Sequence, residues 1–461
     1  MTRGKIALLV VLLLCGAAFL VWKQGKKLAL DRYKAALAEW GQPVLRDPGE
    51  EAKANAAEIF AAVQAMPKLA PEEAKAAQAA LRAPWTDDDG SLAAVMTRMA
   101  PAMELMRKAA ELDRFDAAPP RLEKVGVATP LPVITVPMQT LALLLLEARR
   151  AQAEGRLADA AADAAAVLST AALLEREENF PLWGILASAV AVQNAYPTVA
   201  ALLSDPRTPR PSYELLRAPL AALAASDSLR DALAHQLVAP LETTALMIDH
   251  LLWTVPGAKR QALIADYRLA WAKKTAAALD AAGKLHPSDL DAVFADATRK
   301  SEGHPALLSC PQRPGEFGPC VVAHPFVPYI DYTKYLDIFV LRQARAALLL
   351  AGATLRQREL ARGGRMSAEV ESIPEPGAER PADPYADGEL LRFAAEPTLW
   401  AFASVGPDRK ADGALYPADD AGAGADWRKP AAGDLVLALP RFRFAPPARP
   451  KPAPRAPRRK R

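Results

Sequence analysis

An unbroken apolar run extends from Ile6 to Trp22, close to the start of the chain. Basic residues flank it on both sides, namely Arg3, Lys5, Lys23, Lys26 and Lys27. A helix of about 20 apolar residues crosses the ~30 Å hydrocarbon core of a bilayer, and flanking lysine side chains extend its reach to the interface. The pattern predicts that residues 1–27 form a single N-terminal membrane anchor that tethers the rest of the chain.

A cleaved signal peptide is the main alternative for the same residues. Such a peptide has an apolar core of about 7–15 residues that ends at small residues beside the cleavage site. Residues 16–18 are small, but the apolar run continues through Trp22. A lipid-modified Cys15 would need a small residue before it, and Leu14 stands there instead. The sequence therefore favours an uncleaved anchor.

Two features of the sequence give opposite predictions for the side of the membrane on which the residues after the anchor lie. More basic residues follow the apolar run than precede it, and the positive-inside rule then favours a cytoplasmic body. Cys310 and Cys320 bracket a loop rich in proline and glycine, which a disulfide would stabilise in an oxidising compartment. Two free thiols remain the alternative for this pair. We expect an exported body, periplasmic or otherwise extracytoplasmic, with a Cys310–Cys320 disulfide.

The composition favours helices. The body is rich in Ala and Leu and poor in the β-branched and aromatic residues that strands prefer. The net charge of +4 conceals an asymmetry, because residues 441–461 include many Arg and Lys and no acidic residue, while the rest of the chain is mildly acidic. This charge distribution is not typical of a nucleic-acid-binding domain, so we expect no specific nucleic-acid partner.

Changes in helical periodicity and in proline and glycine content divide the chain into segments. They are the anchor with its basic flanks at 1–27, an N-terminal helical segment at 28–118, a Pro-rich extended linker at 119–137, a helical core domain at 138–302, a Cys-bracketed loop at 303–330, a long helix and linker at 331–373, a β module at 374–440 and a disordered basic Pro-rich tail at 441–461. The predicted fold is mainly α, with an irregular α-helical bundle or short solenoid between the transmembrane helix and a small C-terminal antiparallel β module.

Apolar spacing and capping residues place helices within these segments. They are predicted at 28–40, 55–66, 71–82 and 91–112, at two helices joined by the turn Glu154–Arg156, from Asn179 to a point near Tyr196-Pro197, and at 213–225, 228–238, 241–254, 259–282, 288–299 and 332–362. The prolines between 119 and 137 predict an extended path, to which Val133–Val136 can add one short strand.

The C-terminal module has the most specific pattern in the chain. Asp383-Pro384-Tyr385 opens it, and acidic and glycine-containing loops separate three predicted strands at Leu391–Phe393, Trp400–Ser404 and Leu435–Leu439. Over 383–440 this pattern is similar to the closing segment of the major pseudopilin of type II secretion systems. More loosely, from Gln139 onward, the chain resembles uncharacterised single-anchor bacterial proteins with an Ala/Leu-rich helical body.

The pseudopilin resemblance implies a calcium site in the loop of the module. Carried over to this chain, the ligands are the Ser404 carbonyl oxygen, Asp408 and Asp412, with Asp434 nearby. The chain departs from the pseudopilin pattern at 409–410, where Arg and Lys replace small residues, and it has no pilin-type processing sequence. Aspartates that cap turns in a small sheet are the alternative interpretation of the same residues.

No catalytic residue follows from the sequence. It contains no His-Glu-x-x-His zinc motif, nucleophile elbow, phosphate-binding loop or dinucleotide fingerprint, and we assign no cofactor apart from the possible calcium. The anchor, the Ala-rich helices and this lack of motifs predict a non-enzymatic, membrane-anchored scaffold or interaction protein of the bacterial cell envelope.

Partners and alternative functions follow from the same features. We expect a protein partner in the envelope, and the basic tail is a candidate to bind anionic lipid or a cell-wall polymer; a solvated tail without a partner is the alternative. The alternative functions are an envelope hydrolase whose site forms only in three dimensions, and a calcium-binding accessory of a secretion or pilus-like system.

Overall fold

The computed structural model describes residues 55–82, 85–86, 90–115, 134–177, 181–226, 333–361, 381–386, 389–395, 399–406 and 435–440. Several sequence predictions lie outside these residues: the anchor at 1–27, the helices at 28–40 and between 228 and 299, the pair Cys310 and Cys320, the acidic residues Asp408, Asp412 and Asp434, and the tail at 441–461.

The described part of the chain is mainly helical, with one small antiparallel sheet, as the sequence predicts. The helices are α1 (Ala56–Gln64), α2 (Pro71–Ala80), α3 (Ser91–Ala109), α4 (Thr135–Ala153), α5 (Leu157–Leu174), α6 (Pro181–Ser204), α7 (Arg210–Ala224) and α8 (Thr333–Ala361). The strands are β1 (Arg392–Ala395), β2 (Leu399–Ser404) and β3 (Leu435–Pro440).

Helix α8 is the centre of the bundle. It packs against α6 and α7 on one side and against β2 and β3 on the other. Helix α5 lies between α4 and α6 and also contacts α7, while α1, α2 and α3 pack against α4 at the far end. Since α8 is covered by both helices and sheet, its side chains are buried almost all the way round.

A glycine closes the predicted hairpin between α4 and α5. Gly155 has a φ of 80°, and its N–H donates to the Gln152 carbonyl oxygen at 3.0 Å. The N–H of Arg156 donates to the Ala151 carbonyl oxygen at 2.7 Å, which completes a Schellman C-cap. The turn predicted at Glu154–Arg156 is therefore confirmed, and the Ala faces of the two helices meet in the core.

Two sequence predictions near prolines are wrong. Thr135 and Val136 belong to the first turn of α4 rather than to a strand. Pro137 also lies in this first turn, where a helix tolerates proline because the backbone N–H that proline lacks would have no partner within the helix. Helix α6 continues through Pro197 to Ser204 instead of ending near Tyr196-Pro197. An internal proline costs a helix about 3 kcal/mol, and the burial of neighbouring side chains on this helix offsets that cost.

The sheet has the order β1-β2-β3, with both pairs antiparallel. Trp400 lies opposite Leu439, and Phe402 lies opposite Leu437, so one face of the sheet is large and apolar. That face packs on α8 at Gly352, which has no side chain and lets the strand approach closely. A Cβ at this position would lie 3.0 Å from a Leu437 methyl group and 3.1 Å from a Leu439 methyl group. The described strands of the β module thus pack in the same hydrophobic core as the helices.

Three described helices are long and apolar enough to cross a membrane by length and composition. They are α5, α6 from Trp183 and α8 from Ile338, and 67%, 61% and 94% of their respective apolar windows are buried inside the protein. Among the residues that the structure describes, Leu215 is the large hydrophobic side chain that is exposed. The larger part of each apolar window is therefore buried inside the bundle.

Candidate functional site

Three buried arginines lie along one stripe of the central helix α8. Arg342, Arg345 and Arg356 are 1%, 5% and 0% exposed, respectively. At about 100° per residue, spacings of three and eleven residues place all three side chains on the same face of the helix. Burying a cation in a protein interior costs several kcal/mol unless charge or hydrogen bonds compensate it. We call these residues and their polar contacts the arginine stripe.

Arg342 joins four helices. Its Nε lies 2.8 Å from Oε1 of Glu175, at the end of α5, and this ion pair is buried on both sides. The same oxygen accepts a 2.6 Å hydrogen bond from the Ser188 hydroxyl on α6, and Nη1 of Arg342 donates to the Leu223 carbonyl oxygen on α7 at 2.5 Å. The guanidinium also lies over the ring of Phe339, 4.5 Å from its centroid. This end of the stripe therefore combines one buried cation, one buried carboxylate and one hydrogen bond to a backbone carbonyl.

Arg356 joins the bundle to the β module. Its Nε donates to the Leu203 carbonyl oxygen at 2.7 Å, at the end of α6, and Nη1 donates to Glu359 at 2.7 Å within α8. Its Nη2 donates to the carbonyl oxygen of Pro440, the last residue of β3, at 2.5 Å. The guanidinium lies 5.2 Å from the ring centroid of Trp400 on β2. One buried cation therefore contacts α6, α8 and two strands.

Tyr213 on α7 lies beside this end of the stripe. Burial raises the pKa of its phenol to about 12, although the charge of Arg356 and the nearby Thr208 side chain act in the opposite direction. The phenol is therefore neutral at physiological pH and contributes no charge to the stripe.

Asp383 holds the segment before β1 against the end of β2. One carboxylate oxygen accepts from the Tyr385 N–H at 3.0 Å and from the Ser404 hydroxyl at 2.6 Å, and the other accepts from the Val405 N–H at 2.8 Å. Asp383 is 3% exposed, so these contacts are made away from water. A buried carboxylate with three donors is a structural clasp, and it fixes Tyr385 in the core.

Arg345 differs from the other two arginines of the stripe. Within the described residues, no carboxylate pairs with it, whereas Arg342 pairs with Glu175 and Arg356 pairs with Glu359. Burial lowers the pKa of its guanidinium, and two buried tyrosines, Tyr196 on α6 and Tyr385 before β1, act in the opposite direction. Arg345 is thus a buried cation whose described surroundings carry phenols rather than an acid.

The sequence-predicted site residues have different outcomes. Ser404 is fully buried at the end of β2, opposite Leu435, and its hydroxyl is bonded to Asp383. The other predicted calcium ligands, Asp408, Asp412 and Asp434, and both cysteines lie outside the described residues. Among the residues that are described, no group of three or more His, Cys, Asp or Glu side chains is placed to hold a metal ion.

Sequence reasoning named Asp383 as part of a motif but gave it no role, and it did not single out the arginines. One signal was present: three arginines at helical spacing on one face of a helix that is rich in Ala and Leu. A basic residue on an apolar face indicates a buried partner, because an unpaired buried charge is unfavourable. Glu359, three residues after Arg356, is a local partner. The other partners come from helices and strands that are distant in sequence, so the sequence alone could not identify those.

Comparisons with models of protein families, with curated proteins and with solved structures found no match.

Proposed function

We propose that this protein is a membrane-anchored, exported scaffold or interaction protein of the bacterial cell envelope, tethered by the apolar segment 6–22. Its helical body would hold the β module at a fixed place relative to the membrane. The basic tail at 441–461, which follows β3 directly, would reach anionic lipid or a cell-wall polymer. An envelope protein is the expected partner of the body.

The observation that carries the scaffold role is the junction at Arg356. This residue bonds to Leu203, Glu359 and Pro440, and so the helices and the sheet form one core. A rigid connection of this kind suits a protein that positions other molecules. A hinge between domains would suit an enzyme that closes on its substrate.

The polar side chains of the arginine stripe support the same conclusion. Ser188 and Glu175 have the residue types of a nucleophile and a base, yet Ser188 is fully buried and Glu175 is bonded to both Ser188 and Arg342. Ser404 and Asp383 are bonded to each other in the same way. These groups stabilise the core and do not meet a substrate in this arrangement.

The proposed location is tested by reporters fused behind Arg461. Alkaline phosphatase is active only after export, and β-galactosidase is active only in the cytosol. We expect the phosphatase fusion alone to be active and to stay with the membrane fraction after a high-salt wash. Activity of the β-galactosidase fusion alone, or a mature protein that begins after Trp22, contradicts the proposed placement.

The scaffold role is tested on the full-length protein in mild detergent. We expect a complex with envelope proteins at fixed stoichiometry, which Arg356→Leu weakens by loosening the β module and the matched surface variant Arg210→Leu leaves unchanged. A monomer without a stoichiometric partner contradicts the scaffold role. Hydrolysis of an envelope polymer that Ser188→Ala abolishes would favour the alternative function as an envelope hydrolase.

A further inference from the structure

The described part of the chain begins beside a cluster of three aromatic rings. The Ala56 N–H, at the start of α1, donates to the Arg114 carbonyl oxygen at 3.0 Å. The next residue, Phe115, is 1% exposed, and its ring centroid is 4.8 Å from that of Phe60 on α1 and 6.2 Å from that of Trp183 on α6. The start of α1 is therefore attached to the first turn of α6.

A second contact holds the same end of α6. Nη1 of Arg176, just after α5, donates to the Asp113 carbonyl oxygen at 3.1 Å. The backbone of α6 approaches the end of α5 closely at Gly184, where a Cβ would lie 2.1 Å from the Leu174 carbonyl oxygen. We call the contacts of residues 113–115 with α1, α6 and the end of α5 the entry clamp.

The last described residue, Pro440, lies at the other end of α6. The Leu203 carbonyl oxygen, in the last turn of this helix, accepts a 2.7 Å hydrogen bond from Nε of Arg356, and Nη2 of Arg356 donates to the Pro440 carbonyl oxygen. Pro440 is exposed, and the basic segment 441–461 follows it directly. We call the contacts that Arg356 makes with Leu203 and Pro440 the exit clamp.

Helix α6 joins the two clamps. With a rise of about 1.5 Å per residue, the positions of Trp183 and Leu203 lie about 30 Å apart along the helix. Helix α6 packs against α4, α5 and α8, and side chains along its whole length are buried, among them Ile185, Val192 and Val199. A closely packed helix resists deformation, so it keeps the entry clamp and the exit clamp at opposite ends of the bundle.

We propose that the body bridges two surfaces: the apolar segment 6–22 attaches the entry end to the membrane, and the tail at 441–461 binds an anionic polymer of the cell wall at the exit end. This inference rests on the proposed function and makes the partner of the tail specific. The tail includes many Arg and Lys and no acidic residue, so it attracts the carboxylate or phosphate groups of such a polymer. Because it starts at the end of α6 opposite the entry clamp, it faces away from the lipid that holds the anchor.

The experiment uses the full-length protein reconstituted into phosphatidylcholine liposomes, which have no net charge. Purified cell-wall sacculi are added and pelleted at low speed, and the liposomes in the pellet are measured. We expect the sacculi to carry the liposomes down at low salt, and the bound fraction to fall several-fold at high salt, since salt screens the attraction between charges. Removal of residues 441–461 should abolish the binding.

Anionic lipid is the competing partner, and energy transfer tests it. A fluorescent tag is fused behind Arg461, and an acceptor lipid is included in the liposomes. We expect transfer to stay low and unchanged when about 25% of the lipid is replaced by phosphatidylglycerol, although each basic residue near such a surface is attracted to it. A rise in transfer would show that the tail binds its own membrane.

Variants test whether the clamps determine this arrangement. Arg356→Leu loosens the exit clamp and should let the tail reach phosphatidylglycerol, so that transfer rises, and the surface variant Arg210→Leu should behave like the wild type. If Arg356→Leu does not fold, Phe115→Leu decides, since it keeps an apolar side chain but loses the ring contacts of the entry clamp.

Three results overturn the proposal. They are liposomes that do not bind sacculi at low salt, a wild-type tail captured by phosphatidylglycerol, and clamp variants whose transfer equals that of the wild type. A protein that the reporter fusions place outside the cytosol but that does not bind sacculi would reject this inference and leave the proposed location intact.

Discussion

Nη2 of Arg356 donates a 2.5 Å hydrogen bond to the carbonyl oxygen of Pro440, and so the central helix holds the last residue of strand β3. Arg356 is fully buried, whereas Pro440 is exposed, so the bond lies at the edge of the core. A backbone carbonyl at the end of an edge strand would otherwise be hydrated. Here it accepts a hydrogen bond from a buried cation, so docking of the strand and satisfaction of the Arg356 donors depend on each other.

We expect Arg356→Ala to destabilise the protein by about 3–5 kcal/mol, because the variant leaves the Glu359 carboxylate buried without its cation. Urea unfolding of the wild type and the variant measures the difference. The matched surface change Arg210→Ala, which breaks an exposed pair with Glu214, should stay within about 0.5 kcal/mol of the wild type.

A double variant shows whether Arg356→Ala destabilises the protein through lost charge balance or through lost packing. Adding Glu359→Gln to Arg356→Ala removes the buried negative charge that Arg356 balanced and should recover part of the lost stability. A double variant no more stable than the single variant would show that packing on Trp400 and Leu203, rather than charge balance, dominates at this position.

The Asp383 clasp should control the attachment of the segment at 381–386. Asp383→Ala removes the acceptor of three hydrogen bonds and leaves the Val405 N–H and the Ser404 hydroxyl buried without that partner. We expect a loss of about 2–4 kcal/mol and faster proteolysis near this segment. Ser404→Ala removes one of these donors and should cost about 1 kcal/mol. Equal losses for the two variants would contradict the clasp.

The sequence predicted the helices and strands well where local chemistry determines them. The cap at Asn55, the proline at the start of α2 and the glycine turn at Gly155 are short-range signals, and the elements they delimit were placed within a few residues. The prediction was wrong where packing overrides local preference. Pro197 would end an isolated helix, but α6 is buried on several sides, and its core contacts outweigh the missing hydrogen bond.

The arginine stripe could be predicted only in part. Spacing on α8 places Arg342, Arg345 and Arg356 on one face, which is local information. The pair between Arg356 and Glu359 is local too. The contacts of Arg342 with Glu175 and of Arg356 with Leu203 and Pro440 follow from tertiary packing over long sequence separations. The calcium ligands inferred by resemblance belong to a loop outside the described residues, apart from Ser404, and stay a prediction.

Stability should fall at high pH because of Tyr213. Burial raises the pKa of this phenol to about 12 in the folded protein, whereas an unfolded chain has a tyrosine pKa of about 10. The contribution is complete below pH 10 and is lost as the pH rises from 10 towards 12, with a magnitude of about 2–3 kcal/mol. Urea unfolding at pH 9 and pH 11.5 measures it. Tyr213→Phe should lose less stability over this interval, and an identical pH dependence would contradict the shift.

Two buried glycines should respond differently to an added methyl group. A Cβ at Gly352 would meet the side-chain methyl groups of Leu203, Leu437 and Leu439 at 3.0–3.1 Å, and these groups can move. A Cβ at Gly184 would lie 2.1 Å from the Leu174 carbonyl oxygen, at the contact between α5 and α6. Because a backbone oxygen cannot yield without moving a helix, we expect Gly352→Ala to cost about 1–3 kcal/mol and Gly184→Ala to cost more. Thermal unfolding of both variants tests the order. A Gly184→Ala protein at least as stable as Gly352→Ala would mean that α5 and α6 are not so closely packed.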